Sequence, residues 1–193
     1  MKKIMFNDRY GLTQAVLDGR KTMTRRIIPI DIFNACDFKY FDGTNYKIFE
    51  NTNFGRWDDI RNYAAYKIGE VVAIAQSYNN SMYNADTEIE IDGKDYLMCE
   101  TKGWDNKMFV RARLMPHRIK ITNVRVERLQ DISDEDCMKE GIIKKGEFFG
   151  LTNVGGGYNT ARGMFEWLIN KISGEGTWKR NLYVFVYEFR LFD

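Results

Sequence analysis

The chain has 193 residues, 44% of them hydrophobic, enough for one well-filled core and at most two small ones. Its 29 basic and 27 acidic side chains leave a net charge of +2, which argues against coating nucleic acid by bulk electrostatics but leaves room for a local basic site. Apolar runs stay short, 71–75 being typical, far below the roughly 20 residues of a membrane-spanning helix.

The first residues, Met1-Lys2-Lys3-Ile4-Met5-Phe6, are positive but lack the apolar stretch and cleavage signal of a secretory leader. The expectation is a cytoplasmic protein that forms a single domain over 1–193 and has no membrane partner. A short apolar strand over 3–6 leads to Leu12, Ala15 and Val16 at helical spacing, with Gly19 as the stop. The basic stretch 20–26 runs into a second strand ended by Pro29. Residues 31–62, rich in Asn, Asp, Gly and aromatics without a clean period, read as an insertion decorating the core, and 77–105 as a second one.

A turn over 66–70 enters a strand at 71–76, and Asp92-Gly93 between two alternating runs predicts a hairpin. The segments 118–121 and 124–127 each alternate strictly, which predicts a strand with one wet, cationic face. Ser133, with Asp136 three residues on, caps a short helix closed by Gly141. Thr160 caps a longer helix with Met164, Phe165, Leu168 and Ile172 on one face, ended by Gly174. The nearly continuous apolar run 182–191 suits a strand buried on both faces. Five or six strands with three helices, not regularly alternated, predict an α+β fold built on a small mixed barrel.

Cys36, Cys99 and Cys137 are odd in number, far apart and without a C-x-x-C pair, so each reads as a reduced, half-buried filler and not as a zinc ligand. His117 is the single histidine, which rules out a multi-histidine metal centre. The carboxylates Asp131, Asp134, Glu135 and Asp136 lack the spacing of a calcium loop and read as an acidic first helical turn. No metal and no cofactor are expected. Gly155-Gly156-Gly157 lacks the spacing of a phosphate loop and reads as a mobile loop.

The densest polar cluster is Gly19-Arg20-Lys21-Thr22-Met23-Thr24-Arg25-Arg26. On residue types alone it is a solvated basic turn. A lysine held close to Arg25 or Arg26 and removed from water would instead have a depressed pKa and serve as a base. In an extended stretch Thr22, Thr24 and Arg26 share a face. A second basic set, Lys107, Arg111, Arg113, Arg118 and Lys120, has no acid among it and is a possible nucleic-acid contact, with Met108, Phe109, Leu114 and Met115 between read as core or cover. Glu140 lies near the end of its helix, beyond the turn where an acid helps the dipole, and has no local structural reason to be there.

Gly19-x-Lys21-x-x-Thr24-x-Arg26 resembles the G-x-K-x-x-E-x-R signature of the ASCH domains, and Tyr66-x-x-Gly69-Glu70-Val71, the segment 124–141 and the final strand 184–189 extend the resemblance to about half the chain. It implies a PUA-like β-barrel with flanking helices that binds RNA or a modified nucleoside. Thr24 stands where the general signature has Glu, and this is similar to the small bacterial ASCH enzymes that hydrolyse acetylcytidine to cytidine and acetate. That subgroup implies Lys21, Thr24 and Glu140 as the catalytic set, Glu140 through the spacing Leu129, Ile132, Ser133, Glu140. The turn then supplies Gly19, Arg20, Arg25 and Arg26 for substrate binding, with Arg26 on an oxyanion or a phosphate and aromatics of the insertions completing the cleft. The chain is also similar to longer phage and bacterial ASCH-like proteins, for which the resemblance implies no particular activity. Two alternatives stay open, a non-catalytic RNA-binding module and a metal-independent ribonuclease using Lys21 and Arg26 on a scissile phosphate.

Overall fold

The longest alternating stretch and the most continuous apolar run become two neighbouring inner strands of one sheet. They are seen in a computed structural model that describes residues 1–29, 31–32, 36–41, 46–50 and 57–192. In chain order, β1 (Lys3–Ile4), α1 (Leu12–Leu17) and β2 (Met23–Ile27) are followed by β3 (Cys36–Phe41), β4 (Tyr46–Glu50) and β5 (Trp57–Asp59). Next come β6 (Val71–Ile74), β7 (Glu88–Ile91), β8 (Lys94–Leu97) and β9 (Arg118–Arg128). The chain then forms α2 (Asp134–Lys139), β10 (Ile143–Lys145), β11 (Phe148–Gly150), α3 (Ala161–Ser173), α4 (Thr177–Arg180) and β12 (Tyr183–Leu191). The fold is mixed α+β.

The main sheet has the order β1-β6-β9-β12-β2, with β1 parallel to β6 and every other pairing antiparallel. In β9 the buried positions switch phase, from Ile119 and Ile121 to Val124 and Val126. The register explains the switch: Asn123 pairs with Glu188 and Ile121 with Phe189, so Thr122 is an extra residue in a bulge. Along β12, Val184, Phe185, Val186 and Tyr187 are all buried, as a strand covered on both faces requires. Each such side chain stabilises the fold by about 1.5–3 kcal/mol on burial. The helical residues in the same core include Leu12 and Val16 of α1, Cys137 of α2, Met164, Phe165, Leu168 and Ile169 of α3, and Trp178 of α4. The edge strands come close at one end, where Arg26 on β2 donates from Nη2 to the Met5 carbonyl just past β1 at 2.6 Å. A side chain, not a ladder, joins those edges, and no closed barrel forms among the described strands.

Several expectations need correction. Residues 31–62 are not patternless, because β3, β4 and β5 pair as their own antiparallel sheet. Alternation was masked there by aromatic residues on both parities. The 77–105 segment brings a second small core, in which Tyr78 and Met98 pack with Val110 and Met115. Its hairpin turns through Asp92 (φ 53°) and Gly93 (φ 78°), the left-handed pair that a two-residue connection of this hand needs. Met108 and Phe109, read as core or cover, are 62% and 54% exposed. On α3 it is Ile169 that is buried, while Ile172 is exposed at the helix end. The glycine triplet brings Tyr158 back onto Phe149 as a bridge, and Gly157 packs so closely on Phe148 and Phe149 that a Cβ would lie within 2.9 Å of both. Cys99 is exposed and Cys137 fully buried, so neither is half-buried, while the side chain of Cys36 lies outside the described residues. No described helix is long and apolar enough to cross a membrane.

Candidate active site

Three backbone devices bring distant segments to one point. Helix α1 stops at Gly19, whose φ of 71° turns the chain, and Lys21 N then donates to Ala15 O at 2.8 Å. Thr22 N donates to Lys139 O at 2.9 Å, which ties the approach to β2 to the end of α2. Helix α2 starts where Ser133 Oγ accepts from Asp136 N, and ends at Glu140 with Gly141 at φ 100°. A Cβ at Gly141 would touch Leu12, Ala15 and Lys21 at 3.4–3.5 Å. Glycine allows both the left-handed backbone and this close approach of α2 to Lys21.

Glu140 thus meets Lys21 across 119 positions of sequence. Lys21 Nζ donates to Glu140 Oε2 at 2.5 Å, to Glu140 O at 2.8 Å and to Met23 O at 2.8 Å, which uses all three of its protons. Both side chains are almost wholly buried. Burial is the main influence on the Lys21 amine and pushes its pKa below the ordinary lysine value. Glu140 opposes that shift, while Arg26 and Arg25 reinforce it.

The other Glu140 oxygen accepts from Arg25 Nη1 at 3.2 Å. Arg25 also donates from Nε and Nη2 to Glu127 Oε1 (2.9 and 2.5 Å), and from Nη2 to Asp136 Oδ2 at 3.0 Å. Burial disfavours its charge, but Glu140, Glu127 and Asp136 outweigh burial and raise its pKa. Arg125 extends the network, donating to Glu127 Oε2 at 3.1 Å and Asp136 Oδ2 at 2.6 Å, and bonding Glu188. The expected wet, cationic face of β9 is half-buried, with Arg125 neutralised by acids and Arg128 stacked on Tyr183.

Beside the pair lies a cavity of about 160 Å³, lined by Lys21, Thr24, Arg26 and Glu140 together with Phe6 and Phe165. That is well below the roughly 300 Å³ at which drug-sized ligand sites begin, and suits a single flat ring or a short acyl group. Thr24 is 5% exposed and has no hydrogen bond to Lys21 or Glu140. The trio therefore converges unevenly: two members are in contact and the third shares their cavity. Among the described residues the apolar wall comes from Met5, Phe6, Leu12, Ile27 and α3, and the expected aromatics of 31–62 lie outside the described side chains.

Three of the four residues expected to bind substrate do something else. Gly19 serves the turn through its backbone. Arg20 pairs with Asp18 at 2.7 Å and does not line the cavity. Arg25 reaches the cavity wall, but its side chain is 1% exposed and committed to three carboxylates, so it holds Glu140 in place. Arg26 also lines the cavity. In the second basic set, Lys107 pairs with Asp8 at 2.7 Å and Arg111 with Asp92 at 3.3 Å. Arg113 is exposed, Arg118 is half-buried, and Lys120 lies over the Phe192 ring.

Sequence reasoning missed Glu127 and Asp136 as partners of Arg25. A signal existed for Glu127, which shares a face of β9 with Arg125, but Asp136 had already been assigned to its helix turn. No group of histidine, cysteine or acidic side chains suited to a metal occurs among the described residues. Burial pushes the Cys137 thiol up to about 12, which makes it inert as a nucleophile.

Asp136 makes the network acid-sensitive. Burial opposes its ionisation, but hydrogen bonds and charge from Arg25, with Arg125 adding, hold its carboxyl below the usual aspartate value. A carboxylate with a lower pKa folded than unfolded contributes stability that is present above the unfolded value and lost as pH falls. Urea midpoints should therefore drop as pH is lowered through about 4, where free aspartate titrates, and Asp136→Asn should flatten that drop. An unaltered pH slope in the variant would show that this carboxylate is not the sensor.

Comparison with family models, with curated proteins and with solved structures finds no match to this chain.

Proposed function

We propose that the chain is an ASCH-type protein on a PUA-like barrel plan, that it recognises a modified nucleoside, and that it hydrolyses the amide of an acylated cytidine. The observation that carries this reading is the buried Lys21–Glu140 pair on the wall of a base-sized cavity that Thr24 and Arg26 also line. A buried lysine with a lowered pKa is suited to act as a base at neutral pH. In this reading Lys21 reacts in its neutral form, giving up one of its three hydrogen bonds, and Thr24 Oγ attacks the acyl carbonyl carbon while its proton passes to the amine. Collapse breaks the C–N bond, and Lys21, backed by Glu140, returns the proton to the departing nitrogen. Water then cleaves the threonine ester by the same route, so that amide and water become amine and carboxylic acid.

The test is acetate release from acetylcytidine by the purified protein. Thr24→Ala should slow it by about a hundredfold or more, the usual loss when a nucleophile or donor of this kind is removed. Inactivity of the wild type over a panel of acylated nucleosides would remove the hydrolytic reading. A non-catalytic RNA-binding module is the second reading, favoured by the full satisfaction of the Lys21 protons within the protein. It predicts RNA affinity that weakens with salt and survives Thr24→Ala. Cleavage of bare RNA without metal would instead make the protein a ribonuclease.

A further inference from the structure

Across Arg26 from the first cavity lies a second, of about 320 Å³, and the two share Met5, Arg26 and Ile27 in their walls. Tyr63, Tyr66, Phe185 and Tyr187 make its lining strongly aromatic. Tyr66 and Tyr187 stand edge to face with ring centres 5.3 Å apart. The Tyr66 hydroxyl donates to Lys3 O at 2.9 Å, and the Tyr187 hydroxyl accepts from Ala65 N at 3.0 Å. Their polar ends are thus engaged with backbone, and the rings remain to form the wall.

Two cations also line this cavity, Lys3 and Arg26. Lys3 Nζ donates to the carbonyls of Met108 and Val110 at 2.6 and 2.7 Å, and Arg26 Nη2 to that of Met5. Among the described residues neither has a carboxylate within ion-pair distance, whereas Lys2, Arg20, Lys107 and Arg111 each do. Carbonyls satisfy hydrogen bonds but leave both positive charges uncompensated, and one of these charges sits on the wall between the two cavities. A base-sized hollow, a guanidinium on the dividing wall and an aromatic hollow beyond it match two bases joined by a phosphodiester.

Building on the function proposed above, we infer that the second cavity receives the base next to the acylated cytidine, with the linking phosphate on Arg26 and Lys3. The preferred substrate is then an oligonucleotide and not a free nucleoside.

The experiment compares kcat/KM for acetate release from acetylcytidine, its monophosphates, and dinucleotides that join it to adenosine on either side. One dinucleotide should exceed the monophosphate by about tenfold or more, the gain expected from stacking a base on aromatic rings. Tyr66→Leu should bring that dinucleotide down to the monophosphate rate, while Tyr66→Phe, which keeps the ring, should retain the preference. Equal rates for monophosphate and dinucleotides overturn the second subsite and leave the hydrolytic reading standing. If no substrate releases acetate, the hydrolytic reading falls, and calorimetry with unmodified cytidylyl-adenosine against cytidine monophosphate decides the subsite by itself. At least tenfold tighter binding of the dinucleotide supports it, and equal affinity overturns it.

Discussion

Replacing either member of the buried pair, Lys21→Met or Glu140→Leu, is expected to cost about 3–5 kcal/mol of stability, and the double replacement to recover most of that loss. Lys21→Met leaves a buried carboxylate with Arg25 Nη1 as its remaining partner and takes the donor from the carbonyls of Met23 and Glu140. Glu140→Leu leaves a buried ammonium facing two carbonyls. In the double variant two apolar side chains of similar volume fill the space, and no charge is stranded. For a chain of this size each kcal/mol shifts Tm by about 2–4 °C, so each single variant should melt roughly 6–20 °C lower. Urea unfolding of the four proteins in the cycle gives the coupling directly. Additive losses would mean that the two charges do not depend on each other. Acetate release should stay absent in the refolded double variant, which separates the pair's chemistry from its part in the fold.

Arg25→Met should be at least as damaging, because one guanidinium neutralises Glu127, Asp136 and Glu140 together. Removing it leaves three acids with Arg125, Lys21 and the more exposed Lys139 as the nearby cations, and stranding even one buried charge costs about 3–5 kcal/mol. Arg25→Lys should rescue little, since an ammonium cannot span three carboxylates as a planar fork does. The neighbouring Arg20→Ala is the contrast: its partly exposed pair with Asp18 is worth about 1 kcal/mol or less. Equal midpoints for Arg25→Met and Arg20→Ala would contradict the network described above. Loss of acetate release should accompany Arg25→Met even where folding persists, because Glu140 would no longer be held against Lys21.

Why the sequence marks Arg20 and Arg25 alike, yet the fold separates them, is a matter of register. Arg25 lies opposite Val186 in the β2–β12 ladder, and Val186 lies opposite Arg125 in the next. The two arginines are thereby drawn to the same acids, while Arg20 remains in the turn before the strand begins. Pairing register depends on contacts between segments about sixty to a hundred and sixty positions apart, and no local pattern encodes it. The exposure of Met108 and Phe109 was hidden for a similar reason. Apolar character predicts burial only where some other element arrives to cover the side chain.

What the chain determined by itself is local. The run that becomes β12, the Asp92-Gly93 turn, and the Ser133 and Thr160 caps all follow from interactions within a few residues. Glu140 could also be singled out, because an acid at a helix C-terminus opposes the backbone dipole and so calls for a partner elsewhere. Only the tertiary structure decided that the partner is Lys21, that Arg25 positions the acid instead of binding substrate, and that two cavities meet at Arg26. Those outcomes rest on long-range backbone bonds, Thr22 to Lys139 above all, and on removing charges from water. Both depend on where distant segments end up, which local propensity does not specify.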